Sequence, residues 1–338
     1  MKKRIRIKDV ADYLGVSTST VSRALNPGLR AKISTEVIAQ VREAAVKLGY
    51  VADYTAQSLR KQKTRTIGIV VPDILNPLFP AMIKGAQDYL SREGYVTFIA
   101  SSNNNQTLAI AEIRNLIARK IDGIIIASAF LKDSSVNYCV RQQLPMVLVN
   151  RSIHDEHAAH RVINDDIYGI ELAMNHLLEL GHRHIVHFAG PQVISQGKER
   201  LSTFLDYCAK HELERDVIPL DAFTIEAGMQ GAELFLKRHK KASAILAAND
   251  LMAIGAIQQL QSKGYEIPGD YSVVGFNGMF LSDMISPSLT TIQVPHQQLA
   301  EQAARLLLQE IATPGAPRQT LLLTPKLIVR ASSGLCRG

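Results

Sequence analysis

The sequence predicts a multidomain fold: a small all-α headpiece at the amino terminus, then a two-lobed α/β unit built on doubly wound parallel sheets. Three observations carry this expectation. A chain of 338 residues, 46% of them hydrophobic, exceeds what one ordinary core holds. Residues 1–65 contain 14 Lys and Arg against 5 Asp and Glu, whereas the whole chain carries only +7, so the remainder is net negative and all the positive excess sits at the amino end. From Thr66 onward, short apolar runs alternate with amphipathic segments, the pattern of repeated βα units.

The headpiece, residues 1–50, reads element by element. Ile7 to Asn26 fits two short helices joined by a tight turn. Ala11 is small enough for a second helix to cross the first, Gly15 can adopt the left-handed turn conformation, and Ser17 is a good N-cap. Val10, Leu14, Val16, Val21 and Leu25 fill the space between them, which leaves Thr18, Ser19, Ser22 and Arg23 facing outward. These side chains can hydrogen-bond base edges or phosphates. The Ala-x3-Gly-x5-Val spacing alone fits an ordinary helical hairpin equally well. Concentrated positive charge favours the helix-turn-helix reader, because basic groups placed on phosphates release counterions. Ser34 then caps a third helix, with Val37, Ile38, Val41, Ala45 and Leu48 at helical spacing and a stop at Gly49. Residues 51–65 form a basic linker in which Leu59 is the one strongly apolar side chain between Ala52 and Lys63.

In the α/β unit, residues 66–338, strands are expected at 66–71, 95–100, 122–127 and 146–150, then at 184–189, 244–248 and 272–276. Helical patterns separate them near 80–93, 107–120 and 133–143, and near 166–180, 197–211, 226–238 and 250–263. Two such sets in series make two lobes with a cleft between them. The first lobe takes about 66–162 and 293–322, the second about 163–292 and 323–335. Leu289-Thr290-Thr291-Ile292, a helix near 296–312 and the stretch Leu321 to Arg330 return to complete both.

Several function classes are disfavoured. The basic start is interrupted before any apolar signal core forms, and no run of about 18 uncharged apolar residues occurs, which points to a cytoplasmic protein without a membrane span. Cys139, Cys208 and Cys336 are widely spaced and read as reduced thiols, without a metal site. His154, His157 and His160 match no usual zinc spacing and read as a solvated loop. Asp165 and Asp166 read as caps of a helix start rather than paired catalytic carboxylates. Gly190 to Lys198 has the wrong spacing for a phosphate loop, and no glycine-rich dinucleotide fingerprint opens the first βα unit. No enzymatic activity and no cofactor are expected.

Ordered motifs extend along nearly the whole chain: Ile7-Lys8-Asp9-Val10-Ala11, Thr20-Val21-Ser22-Arg23-Ala24-Leu25-Asn26, Leu48-Gly49-Tyr50, Thr66-Ile67-Gly68-Ile69-Val70-Val71-Pro72, Asp122-Gly123-Ile124-Ile125, Gly181-His182-Arg183-His184-Ile185, Asn249 to Ala256, Val274-Gly275-Phe276 and Leu289-Thr290-Thr291-Ile292. With these the chain resembles the lactose/galactose repressor family of bacterial transcription regulators. The resemblance implies a periplasmic-binding-protein-like α/β unit and a homodimer whose headpieces read a near-palindromic double-stranded operator. It implies Thr18, Ser19 and Arg23 as base readers, with Thr20, Ser22 and Asn26 supporting them or gripping the backbone. It also implies a hinge helix in the minor groove, with Ala56 within it and Leu59 wedged into the central base step. Asp53 and Arg60 depart from the family pattern there.

The same resemblance places a small-molecule effector between the lobes, on Asn76, Phe79, Asn150, Arg151, Arg200, Phe223, Asn249 and Asn277. Such side chains suit a sugar or sugar derivative. Asn277 stands where the family commonly has an aspartate, and Arg151 with Arg200 raises a phosphorylated or acidic sugar as one form of that ligand. The expected function is repression of carbohydrate-metabolism genes with operator affinity controlled by the effector, induction being the default and corepression the alternative of opposite sign. The rival reading is a solute-binding sensor without DNA function, which predicts a signal peptide and no DNA reader.

Overall fold

The computed structural model describes residues 5–25, 33–50, 64–238 and 241–337. The chain divides into two units, the boundary falling after Thr64.

In the first unit, α1 (Ile7–Leu14), α2 (Thr18–Leu25) and α3 (Thr35–Leu48) enclose a small core of Val10, Ala11, Val21, Ala24, Val41 and Ala44. Leu14, Val16 and Leu25 pack against it from its margin. Each helix end is specified locally. Gly15 takes φ 66° in the turn after α1, a conformation that costs glycine nothing. Ser17 Oγ accepts the Thr20 N–H at 3.1 Å, and Ser34 Oγ accepts the Val37 N–H at 3.4 Å.

The second unit holds two six-stranded sheets. The first runs β11 (Thr320–Leu323), β5 (His160–Asn164), β4 (Met146–Val149), β3 (Gly123–Ile126), β1 (Thr66–Val71), β2 (Val96–Ser101), with every pair parallel. The second runs β12 (Lys326–Ile328), β10 (Thr290–Gln293), β9 (Ser272–Asn277), β8 (Ala244–Ala247), β6 (Ile185–Ala189), β7 (Asp216–Pro219). It is parallel except for β12, which runs antiparallel to β10. Central strands β3, β4, β6 and β8 are buried along their whole length, as both faces of a parallel sheet require.

Helices α4 (Phe79–Arg92), α5 (Gln106–Ala118) and α6 (Ser134–Arg141) lie between successive strands of the first sheet. Helices α7 (Asp166–Glu179), α8 (Ser195–Lys210), α9 (Ile225–Arg238), α10 (Asp250–Ser262) and the short α11 (Leu281–Met284) accompany the second. Helix α12 (His296–Ala312) returns to pack on α4 and on β3, β4 and β5. The chain therefore passes between lobes at 164–166, 293–296 and 323–326.

Strands β5 and β7 are additions to the sequence expectation. The sequence of β5, His160-Arg161-Val162-Ile163-Asn164, is mostly polar, yet all but Ile163 are buried. Its polar groups find distant partners. His160 Nε2 lies 3.0 Å from Glu310 Oε2, His160 Nδ1 accepts the Gln319 N–H at 3.1 Å, and Arg161 donates to Thr320 Oγ1 at 2.8 Å. Strand β7 is a four-residue edge ending in Pro219, too short to show alternation. The stretch Leu321 to Arg330 is divided, β11 joining the first sheet and β12 the second.

Asp250, at the start of α10 and fully buried, ties three elements of the second lobe together. It accepts the Met279 N–H at 2.7 Å, the Ser282 hydroxyl at 2.9 Å and the Thr291 hydroxyl. Burial nonetheless pushes its carboxyl up to about 6. Asp250→Ala strands three donors and is expected to cost about 2–4 kcal/mol in urea unfolding, with far-ultraviolet dichroism retained.

Candidate effector cleft and nucleic-acid interface

The carboxyl ends of both sheets open on one cavity of about 300 Å³, and all eight effector residues named from the sequence line it. From the first lobe come Asn76 and Phe79, after β1, and Asn150 and Arg151, after β4. From the second come Arg200 on α8, Phe223 after β7, Asn249 after β8 and Asn277 at the end of β9. Asn76 Oδ1 accepts the Leu78 N–H at 3.1 Å and turns the chain into α4, where Phe79 is part of the core. Asn249 has a structural duty as well, since it caps α10 through Met252 N–H at 2.9 Å and donates to the Phe223 carbonyl at 3.3 Å. The Phe223 ring rests on Gly190, where a Cβ would come within 2.2 Å of a ring carbon. Asn150 and Asn277 hold positive φ values of 67° and 119°, and the Asn277 carbonyl is fixed by His296 Nε2 at 3.0 Å.

The two arginines differ in what surrounds them. Arg151 is 5% exposed, donates to the Asn104 amide oxygen at 3.0 Å and to the Ser128 carbonyl at 3.4 Å, and leaves Nε without a partner. Burial pulls it down to about 10, and Asp133 opposes that effect. Arg200 is 2% exposed and ion-paired, its Nη2 lying 2.9 Å from Asp166 Oδ1. Its Nη1 donates to the Ala248 carbonyl, and its guanidinium lies over the Phe276 ring at 3.7 Å from the centroid. The reading of Asp165 and Asp166 as twin caps is thereby corrected. Asp165 Oδ1 accepts the Tyr168 N–H at 2.9 Å and caps α7, but Asp166 turns inward to Arg200 and to Asn164 Nδ2 at 3.0 Å.

Sequence reasoning missed Asn104, Phe130, Gln196 and Asp221, which also line the cavity. Gln196 stands one helical turn before Arg200 on α8, so the i, i+4 relation could have found it. Its Nε2 donates across the cleft to the Asn150 carbonyl at 3.0 Å. Two further bonds join the lobes on this side: Ser152 N–H to Ser195 Oγ at 3.0 Å, and Leu131 N–H to the Val193 carbonyl at 2.9 Å. Phe130 follows β3 as Asn150 follows β4, a position that the rule of strand carboxyl ends would have flagged.

On the headpiece, Val21 and Ala24 bury one face of α2, while Thr18 and Ser19 are exposed and Thr20, Ser22 and Arg23 are half-buried. Ser17 Oγ lies 2.7 Å from Ser19 Oγ and 2.9 Å from Thr20 Oγ1. Arg23 Nε donates to the Ser19 carbonyl at 3.2 Å, which steadies the guanidinium beside Ser19. Asn26, Ala56 and Leu59 lie outside the described residues.

The family model for periplasmic binding proteins and the sugar binding domain of the LacI family matches residues 64–331, and that for bacterial regulatory proteins of the lacI family matches residues 6–53. The chain belongs to the lacI family. It is 30% identical over 327 residues to a ribose operon repressor of Halalkalibacterium halodurans, covering 97% of this chain and 96% of that one. It is 31% identical over 329 residues to the HTH-type transcriptional regulator GalR of Salmonella typhimurium, covering 96% and 95%. A solved complex of the transcriptional regulator CelR with cellobiose superposes with a TM-score of 0.75 at 27% identity, covering 97% of this chain and all of that one. Family members of this kind are DNA-binding regulators, which agrees with the headpiece and its charge. Among the described residues, no helix is long and apolar enough to cross a membrane.

His296, at the start of α12, is buried with Nδ1 unpartnered, and burial lowers it to about 4 from an ordinary 6.5. Between these values the unfolded chain binds the proton and the native chain does not, so this contribution is present above pH 6.5 and lost as pH falls toward 4. The stability difference between the native chain and His296→Gln, read by urea unfolding, is expected to shift against the native chain over that window.

Proposed function

We propose that this regulator represses genes of carbohydrate metabolism as a cytoplasmic homodimer on a near-palindromic operator. A sugar or sugar derivative bound in the cleft sets its operator affinity, and the chain has no enzymatic activity. The observation that carries this reading is the gathering of all eight residues on one cavity. At about 300 Å³ it lies at the small end of ligand pockets, which suits a monosaccharide-sized molecule. Phe79, Phe130 and Phe223 supply apolar faces for a sugar ring, while amides and guanidinium groups meet its hydroxyls. The relatives named for a ribose operon and solved with cellobiose support the same ligand class.

Exposed apolar side chains support the dimer. Val96, Phe98 and Ile99 lie on edge strand β2, and Phe280 and Met284 lie at α11 of the other lobe. Control of DNA binding follows from linkage. An effector that prefers one angle between the lobes shifts the population toward it and changes operator affinity only by that preference. The Gln196 bond to Asn150 crosses the cleft beside Arg151, so a ligand there reads and sets the lobe angle.

Fluorescence anisotropy on upstream genomic fragments, at fixed salt and with a panel of sugars, tests the whole reading. Tight binding to one palindrome that one sugar changes is expected; weak binding to every fragment under every condition refutes it. Arg23→Ala is expected to relax preference at one base of each half-site, a loss of about 1–3 kcal/mol of discrimination. An unchanged preference in a binding-site selection removes Arg23 as a base reader.

A further inference from the structure

We propose that Asp166 is a specificity-determining residue that commits the charge of Arg200 to the protein, so that the cleft accepts neutral polyhydroxylated ligands and excludes their phosphate esters. This rests on the reading of the cleft as the effector site.

Two buried guanidinium groups in one cavity would ordinarily invite a dianion, since arginine forks match phosphate geometry. The structure spends one of them. Asp166 Oδ1 lies 2.9 Å from Arg200 Nη2, both side chains are almost fully buried, and Nη1 is bonded to the Ala248 carbonyl. Nη1 and Nη2 each keep a further N–H, and Nε has no partner among the described residues, so Arg200 retains donors while its charge is matched. A hydroxyl beside the guanidinium brings no charge to balance. A phosphate approaching the same guanidinium would meet the Asp166 carboxylate paired to it, and like charges repel. Arg151 offers one cation, and the carboxylates that do line the cavity, Asp73 and Asp221, oppose an incoming anion.

The rest of the lining agrees. Asn76, Asn104, Asn150, Asn249, Asn277 and Gln196 present amides, which both donate and accept. Hydroxyl groups also do both, whereas a phosphate only accepts. Asn277 belongs to this set, so its departure from the aspartate expected there keeps the lining matched to hydroxyls without adding charge.

The test is isothermal titration of the full chain and of Asp166→Asn with inorganic phosphate, and with D-ribose, D-galactose and D-glucose beside their terminal phosphate esters, at constant ionic strength. The native chain is expected to bind any neutral sugar it takes at least about tenfold more tightly than its ester, and to ignore inorganic phosphate. Asp166→Asn, which keeps an acceptor for Arg200, is expected to gain phosphate binding, and adding Arg200→Gln is expected to abolish the gain. Asp166→Ser serves in place of Asp166→Asn if the latter loses its cooperative melting. Esters bound as tightly as sugars by the native chain, or variants that gain no affinity for phosphate, overturn the proposal. If the variant gains phosphate but no sugar binds the native chain, the sugar reading fails and the role of Asp166 stands.

Discussion

A parallel sheet collects the carboxyl ends of its strands on one edge, and this chain turns two such edges toward each other by passing between its sheets at 164–166, 293–296 and 323–326. Much else follows from that arrangement. Loops after β1, β3 and β4 face loops after β7, β8 and β9, so residues far apart in sequence meet in one cavity. The crossings are short, and side chains beside them bond to lining residues, Asp166 to Arg200 and His296 to the Asn277 carbonyl. Asn164 and Asp166 bracket the first, and His296 opens the helix after the second.

This geometry buries polar groups where the lobes meet, and the molecule handles each in a different way. Asp250 is held by three donors, so its carboxyl survives in the core of the second lobe. Arg200 is neutralised by Asp166 and faced by an aromatic ring. His187 and His296 are kept neutral by burial, each with one ring nitrogen bonded to a carbonyl and the other without a partner. A buried group left without a partner is costly. Arg151 Nε and Arg200 Nε are such groups on residues that line the cavity.

Local chemistry made much of this legible. The headpiece helices, with Gly15 in the turn and Ser17 and Ser34 at their starts, depend on side chains within four residues of one another. Strands such as β3 and β4 announce themselves as apolar runs because both their faces are covered. Strand β5 does not, since the groups that make its polar side chains tolerable, Glu310, Gln319 and Thr320, lie about 150 residues away in the chain. Asp165 and Asp166 show the same limit at one position: adjacent and chemically identical, one caps a helix and the other pairs with Arg200.

The sequence by itself determined the order of elements, the charge of the headpiece and the family motifs that named the eight cleft residues, because spacing and composition are local properties of the chain. Tertiary structure alone decided which of those residues keep free hydrogen-bonding capacity. Asn249 divides its amide between a helix cap and a carbonyl, Arg200 gives its charge to Asp166, and Arg151 retains its own. The physical reason is that a buried polar group is defined by its partners, and here the partners arrive from other strands and from the opposite lobe.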